Sequence, residues 1–299
     1  LDAAKQRLPT MNALHSFALA VCAATMMNAT NSMAADAIPD SCKISGFAMG
    51  CQAWTFNRFS AMEAIDKTAE AGGKVIEFYS NQKLSPDEAN AKFDQNSSEE
   101  VLAKVKARLA EKKIRAVSFG VVDIPKDEAG ARKIFEFAKK MGLYSITTES
   151  VASLDTIEKL VKEYDIRVGI HNHPKQGLNP NYKVWDPNYV LSIVKDRDPR
   201  IGSTADTGHW VRSGLDPVEC LKILKGRIVT VHLKDLNEKS ANAHDVPYGT
   251  GISNIKAILD ELKAQNFVGN ISVEYEYKME NNLPEVTECI KYVKEYGGK

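Results

Sequence analysis

From Gly46 to its C-terminus the chain alternates, eight times over, a short apolar run with a stretch whose apolar residues recur every three or four positions. The short runs are predicted strands over 46–54, 74–79, 114–121, 144–148, 166–171, 201–206, 227–233 and 270–275. The predicted helices cover 61–71, 99–112, 127–141, 153–164, 187–195, 216–224, 252–265 and 283–296. In one of them Ile255, Ile258, Leu259 and Leu262 form a single apolar stripe. Runs that are apolar nearly throughout suit parallel strands covered on both faces. Eight strand–helix units in about 250 residues match the size and count of a (β/α)8 TIM barrel, an α/β fold. A doubly wound open sheet is the rival. It loses because the first strand leads into Gly50-Cys-Gln-Ala-Trp54 and not into a glycine-rich phosphate loop.

The segment before Gly46 has a different character. Met11 is followed by the apolar run Phe17 to Met27, and Ser32-Met33-Ala34 then sets small residues at the spacing a signal peptidase reads. Cleavage near Ala34 and export to the periplasm are expected, so the chain divides into a leader, 1–45, and one barrel domain, 46–299. The apolar run is too short for a stable membrane span. Cys22 follows Val21, where a lipoprotein site wants a small residue. Cys42, Cys51, Cys220 and Cys289 match no zinc spacing; Cys220 and Cys289 fall in amphipathic stretches and read as buried thiols.

Lys plus Arg and Asp plus Glu number 39 each, giving a formal net charge of zero. A broad basic footprint for nucleic acid is therefore absent, and small polar substrates suit the chain better. In a barrel the chemistry gathers at the C-terminal ends of the strands. Those ends offer, in order, Gln52 and Trp54; Glu77 and Tyr79; Ser118; Glu149; His171 and His173; Asp206 and His209; His232, Lys234 and Asp235; Glu274 and Glu276. The long connections 80–98 and 174–187 both follow strands and would overhang this mouth. Two glutamates, an aspartate and a histidine make an oxygen-rich set suited to Mn²⁺ or Mg²⁺, with Co²⁺ and Zn²⁺ as alternatives. Glu77 reads as support for the mouth. Glu274 and Glu276 share a strand face, as do His171 and His173, so either member of each pair can be the one that matters.

Asp206-Thr-Gly-His209, Val231-His-Leu-Lys-Asp235, Tyr248-Gly-Thr-Gly251 and Ile271-Ser-Val-Glu274, taken in that order, resemble the xylose-isomerase-like barrel superfamily. Within it they are similar to the sugar phosphate isomerase/epimerase group. The resemblance implies a divalent ion, Mn²⁺ first, held by Glu149, Asp206, His232 and Glu274. It makes Glu149 and Glu274 the catalytic pair: one takes a proton from carbon beside a carbonyl, the other returns it, through a metal-stabilised enediolate. His171, His173, His209, Lys234, Trp54 and Trp210 are then the expected substrate contacts. Tyr79 and Trp185 are further aromatic candidates for the wall.

The implied activity is sugar isomerisation or epimerisation on a small-molecule sugar or glycoside. A lyase or hydratase acting on a 3-keto-glycoside or related oxidised sugar shares the same first step, and an exported protein favours free sugars or glycosides over sugar phosphates. A non-catalytic sugar-binding barrel would bind without turnover. An abasic-site endonuclease of the same superfamily needs further histidines on the early strands, where this chain has Glu77-Phe-Tyr and Ser118-Phe-Gly. Assembly into a homo-oligomer stays open.

Overall fold

Eight parallel strands close into one barrel in the computed structural model, which describes residues 37–88 and 90–298. Of the expected leader, 1–45, residues 1–36 and the cleavage point near Ala34 lie outside the described residues, whereas Lys43 and Ile44 pair antiparallel with Ala48 and Phe47. The strands are β1 (Phe47–Gln52), β2 (Val75–Phe78), β3 (Arg115–Phe119), β4 (Ser145–Thr148), β5 (Arg167–His171), β6 (Ile201–Asp206), β7 (Ile228–Leu233) and β8 (Asn270–Val273). Each pairs with its sequence neighbour, and β8 returns to β1 with Ile271 opposite Met49. All eight lie within the predicted runs, trimmed by up to two residues at an end where the chain turns out of the sheet. The barrel leaves no edge among these strands.

The helices are α1 (Ala61–Glu70), α2 (Glu99–Lys112), α3 (Glu128–Met141), α4 (Leu154–Tyr164), α5 (Pro187–Val194), α6 (Thr207–Arg212), α7 (Pro217–Ile223), α8 (Ile255–Ala264) and α9 (Leu283–Tyr296). Their starts are written in the sequence. Ser60 and Glu63 form a reciprocal capping box on α1, and Asp127 and Asp216 cap α3 and α7. Gly142 ends α3 at φ +67, a conformation glycine adopts without the Cβ penalty. The apolar stripes of these helices pack on the outer strand faces, and a continuous core runs from Met49 through Ile146 and Ile170 to Val273. Truncating one such buried aliphatic side chain costs about 2–5 kcal/mol.

One helix, α6, begins immediately after β6 and has no counterpart among the predicted ones. Six residues are too short for a periodic signal, and Asp-Thr-Gly reads equally as a turn. Its placement explains Trp210: α6 turns that side chain inward, to 1% exposure, so the structure puts Trp210 in the core and away from the mouth. Cys51, Cys220 and Cys289 are buried free thiols, and Cys42 is a half-buried one. Among the described residues no helix is long and apolar enough to cross a membrane.

Candidate metal centre

Four consecutive strands, β5 to β8, each deliver one donor to the same point. Nitrogens of His171 and His232 and carboxylate oxygens of Asp206 and Glu274 all lie within 4.8 Å of one another, and all four residues are buried. His171 Nε2, Asp206 Oδ2, His232 Nδ1 and Glu274 Oε2 make no hydrogen bond. Leaving one buried polar atom unpaired costs about 1–3 kcal/mol; the Lys234 ammonium stands beside the two carboxylate oxygens, and a cation at the common point would serve the two imidazole nitrogens as well. Two imidazoles and two carboxylates are a donor set that a divalent cation such as Mn²⁺ or Zn²⁺ satisfies. The residues fit such an ion.

The other atoms of these side chains are spoken for, which fixes how they point. Asp206 caps α6 by accepting from the His209 amide through Oδ1 at 2.7 Å, leaving Oδ2 for the cluster. Its own amide and carbonyl are clamped by the Asn172 side chain at 2.9 and 3.0 Å. His232 places Nε2 3.1 Å from Glu77 Oε2, which leaves Nδ1 facing inward. Glu77 is fully buried and also accepts from Thr147 Oγ1 at 2.8 Å and Ser272 Oγ at 3.2 Å. Thr147 in turn lies 3.1 Å from Thr204 Oγ1 and 3.4 Å from Ser118 Oγ. This polar layer replaces the branched aliphatic side chains usual inside a barrel. Its only sequence signal was hydroxyl residues inside otherwise apolar strands.

Lys234 is buried to 1% exposure at the side of the cluster. Its ammonium lies 3.0 Å from Asp206 Oδ2 and 2.8 Å from Glu274 Oε2 as close charge contacts, while its directed hydrogen bond goes to Glu276 Oε2 at 2.6 Å. Gly208 makes room for it: a Cβ there would come within 2.7 Å of the lysine stem. Burial works against the charge on Lys234, but Asp206, Glu274 and Glu276 hold its pKa well above the usual range. Burial likewise opposes ionisation of Glu274, and the Lys234 and His232 charges outweigh it, holding the carboxyl well below its ordinary range.

Glu149, at the end of β4, stands one step outside this cluster. Its Oε1 meets His171 Nδ1 at 3.0 Å, His173 Nδ1 at 2.5 Å and the Tyr182 hydroxyl at 3.0 Å. Burial raises the Glu149 carboxyl, but the bonds to His171 and His173 bring it down to about 2. Of the four ligands expected from sequence, the structure thus gathers Asp206, His232 and Glu274, adds His171, and sets Glu149 behind His171.

Above the cluster opens a cavity of about 320 Å³, lined by Gln52, Trp54, Tyr79, His173, His209 and Glu276 among others. Trp54 is 41% exposed and meets Tyr79 edge-on at 5.0 Å. His173 and His209 stack at 5.1 Å. Arg212 reaches His209 Nδ1 at 3.1 Å, and burial holds that imidazole well below its ordinary pKa. A neutral ring accepting at Nδ1 carries its proton on Nε2, a donor suited to a substrate oxygen. Lys234 and Trp210 do not line the cavity, the first lying beneath Glu276 and the second in the core. Trp185 lies over in the 174–187 connection, under the Lys175 ammonium at 4.7 Å.

The family model described as xylose isomerase-like TIM barrel matches residues 65–296. A crystal structure of an uncharacterized protein from Parabacteroides distasonis is 33% identical and superposes with a TM-score of 0.67, covering 84% of this chain and 99% of the other. A D-tagatose 3-epimerase-like protein superposes with a TM-score of 0.64 at 18% identity, covering 83% of this chain and 96% of its own, a likeness of fold. An inosose dehydratase of Clostridium tetani is 29% identical over 166 residues, 48% of this chain and 52% of that protein. The chain thus spans about half the length of the curated relatives it matches.

Proposed function

The chain belongs to the xylose isomerase-like TIM barrel family, and from that premise we propose that it is a divalent-metal-dependent sugar-modifying enzyme. Within that class we propose a lyase that eliminates water or an alcohol from a keto-sugar. His171, Asp206, His232 and Glu274 would hold the ion, and a divalent ion there supplies Lewis acidity toward a carbonyl oxygen.

One observation carries the lyase over the epimerase. Proton transfer on both faces of a sugar asks for a carboxylate on each side of it, and the sequence offered Glu149 opposite Glu274. Yet Glu149 is not among the residues lining the cavity. The carboxylates that do line it, Glu274 and Glu276, both follow β8, whereas imidazoles of His171, His173 and His209 face them. A carboxylate on one side and an imidazole on the other suits elimination. Glu276 takes the proton from the carbon beside the carbonyl. The electron pair forms the carbon–carbon double bond as the neighbouring C–O bond breaks, and the departing oxygen receives a proton from His173. His209 Nε2–H holds a substrate oxygen, and Trp54 offers the sugar an apolar wall. The inosose dehydratase relatives support the same direction. An exported location, suggested by the leader, favours a free keto-sugar or glycoside over a sugar phosphate.

The test is NMR of Mn²⁺-, Mg²⁺- or Zn²⁺-loaded protein with an inosose, a 3-keto-glycoside and free ketoses in D₂O. The dehydrated product, or release of the aglycone, is expected. Deuterium incorporation with formation of an epimer and no elimination would instead make the protein an epimerase. Turnover unaffected by a chelator would remove the metal from the reading.

A further inference from the structure

We propose that Glu149 is a positioning residue for the cluster, holding His171 in the one tautomer that can serve it. This rests on the metal reading above. Glu149 Oε1 lies 3.0 Å from Nδ1 of His171. A ring nitrogen facing a carboxylate carries the proton, and the lone pair is left on the other nitrogen. That other nitrogen, Nε2, is buried, makes no hydrogen bond and faces Asp206 Oδ2 at 3.7 Å. The Lys234 ammonium, 3.0 Å from Asp206 Oδ2, offsets that carboxylate from its own side, and a divalent cation at the common point would take the Nε2 lone pair. The pairing of Glu149 with His171 on β5 therefore mirrors that of Glu77 with His232 on β7: each inward imidazole is backed by a carboxylate on its far nitrogen.

Glu149, His171 and His173 also lie close enough together to form a donor group of their own. Their hydrogen bonding separates the two groups. In the first, no inward atom makes a directed hydrogen bond, and the Lys234 ammonium stands beside the two carboxylates as a charge contact. In the second, one carboxylate oxygen already meets two imidazole nitrogens and the Tyr182 hydroxyl. The second group is thus a scaffold for the first. Tyr182 extends it outward: its hydroxyl also accepts from the His173 amide at 2.8 Å, tying the 174–187 connection to the same carboxylate.

Titration calorimetry with Mn²⁺ and visible absorption with Co²⁺ test the assignment on wild type, Glu149→Gln, Glu149→Ala and His171→Ala. Both Glu149 variants are expected to weaken Mn²⁺ binding by about 10- to 100-fold. The Co²⁺ bands of Glu149→Gln should keep their wild-type positions and intensity, because the donor atoms are unchanged, while those of His171→Ala should shift. Co²⁺ bands altered in Glu149→Gln and kept in His171→Ala would make Glu149 the ligand and overturn the inference. Wild-type Mn²⁺ affinity in the Glu149 variants would overturn it as well. Should Glu149→Ala fail to fold, the near-isosteric Gln variant decides alone. Failure of the wild-type protein to bind either ion overturns the metal reading itself, a result distinguishable from both.

Discussion

His232 Nε2 lies 3.1 Å from Glu77 Oε2, a contact made through the barrel interior between β7 and β2. Glu77 is fully buried, and hydroxyls of Thr147 and Ser272 complete its shell. Replacing it with alanine strands three donors at once. Glu77→Ala is expected to destabilise the metal-free protein by about 3 kcal/mol in urea denaturation, in the range for breaking a buried charged network. A loss below about 1 kcal/mol would mean that the network is not what holds His232.

Asp206 divides its work between two oxygens, and substitution can separate them. Asparagine keeps an acceptor for the His209 amide but loses the charge facing the cluster. Asp206→Asn should keep the α6 cap, with a thermal midpoint near that of metal-free wild type, while divalent binding falls below calorimetric detection. Asp206→Ala should lose about 1 kcal/mol more through the cap. Equal midpoints for the two variants would refute the capping role.

Metal removal should show in stability as well as turnover. An ion that binds the folded chain and not the unfolded one adds about 2.7 kcal/mol at one hundred times its dissociation constant. Differential scanning calorimetry should find a higher midpoint in excess Mn²⁺ than in chelator, and an equal one in the His232→Ala variant with and without Mn²⁺.

Asp245, which is not itself one of the four donors, supplies a pH dependence of its own. It is buried beside Arg212, 3.2 Å away, and beneath the Glu276 amide, and burial raises its pKa from 3.8 to about 6. Because the folded value lies above the unfolded one, its contribution is fully present below about pH 4 and is lost as pH rises through about 6. The loss is on the order of 3 kcal/mol. Urea denaturation of wild type and Asp245→Asn between pH 4 and 8 should show a smaller decline in the variant; parallel curves would count against the assignment.

Trp54 lines the cavity and is 41% exposed. Trp54→Ala should raise KM for a keto-sugar roughly 10-fold, the scale of one lost apolar contact, with the thermal midpoint unchanged. A matched fall in midpoint would make the residue structural.

Much of this was legible in the chain because strand ends in a barrel are functional positions whatever the loops do. Asp206, His232 and Glu274 each close an apolar run, and that pattern survives without side-chain geometry. The choice between Glu149 and His171 was not legible. Thr148 pairs with Ile170 across β4 and β5, so both residues emerge at the same height. Which one enters the cluster depends on side-chain direction and on Tyr182, which arrives from a loop with no periodic signal. The α6 helix was hidden by its brevity, and with it the burial of Trp210. Lys234 read as a substrate contact because sequence does not show that a glycine, Gly208, clears its path beneath Glu276.

The donors from β5, β6, β7 and β8 have a consequence for how the protein is made. A chain leaves the ribosome from its N-terminus, and the support residue Glu77 is synthesised long before Glu274. Until β8 emerges and docks between β7 and β1, three donors have no fourth and the ring stands open. On the proposed metal reading, ion capture would therefore wait for the last strand of the barrel. A nascent or truncated chain ending before β8 would lack the complete site, however well its earlier strands had packed.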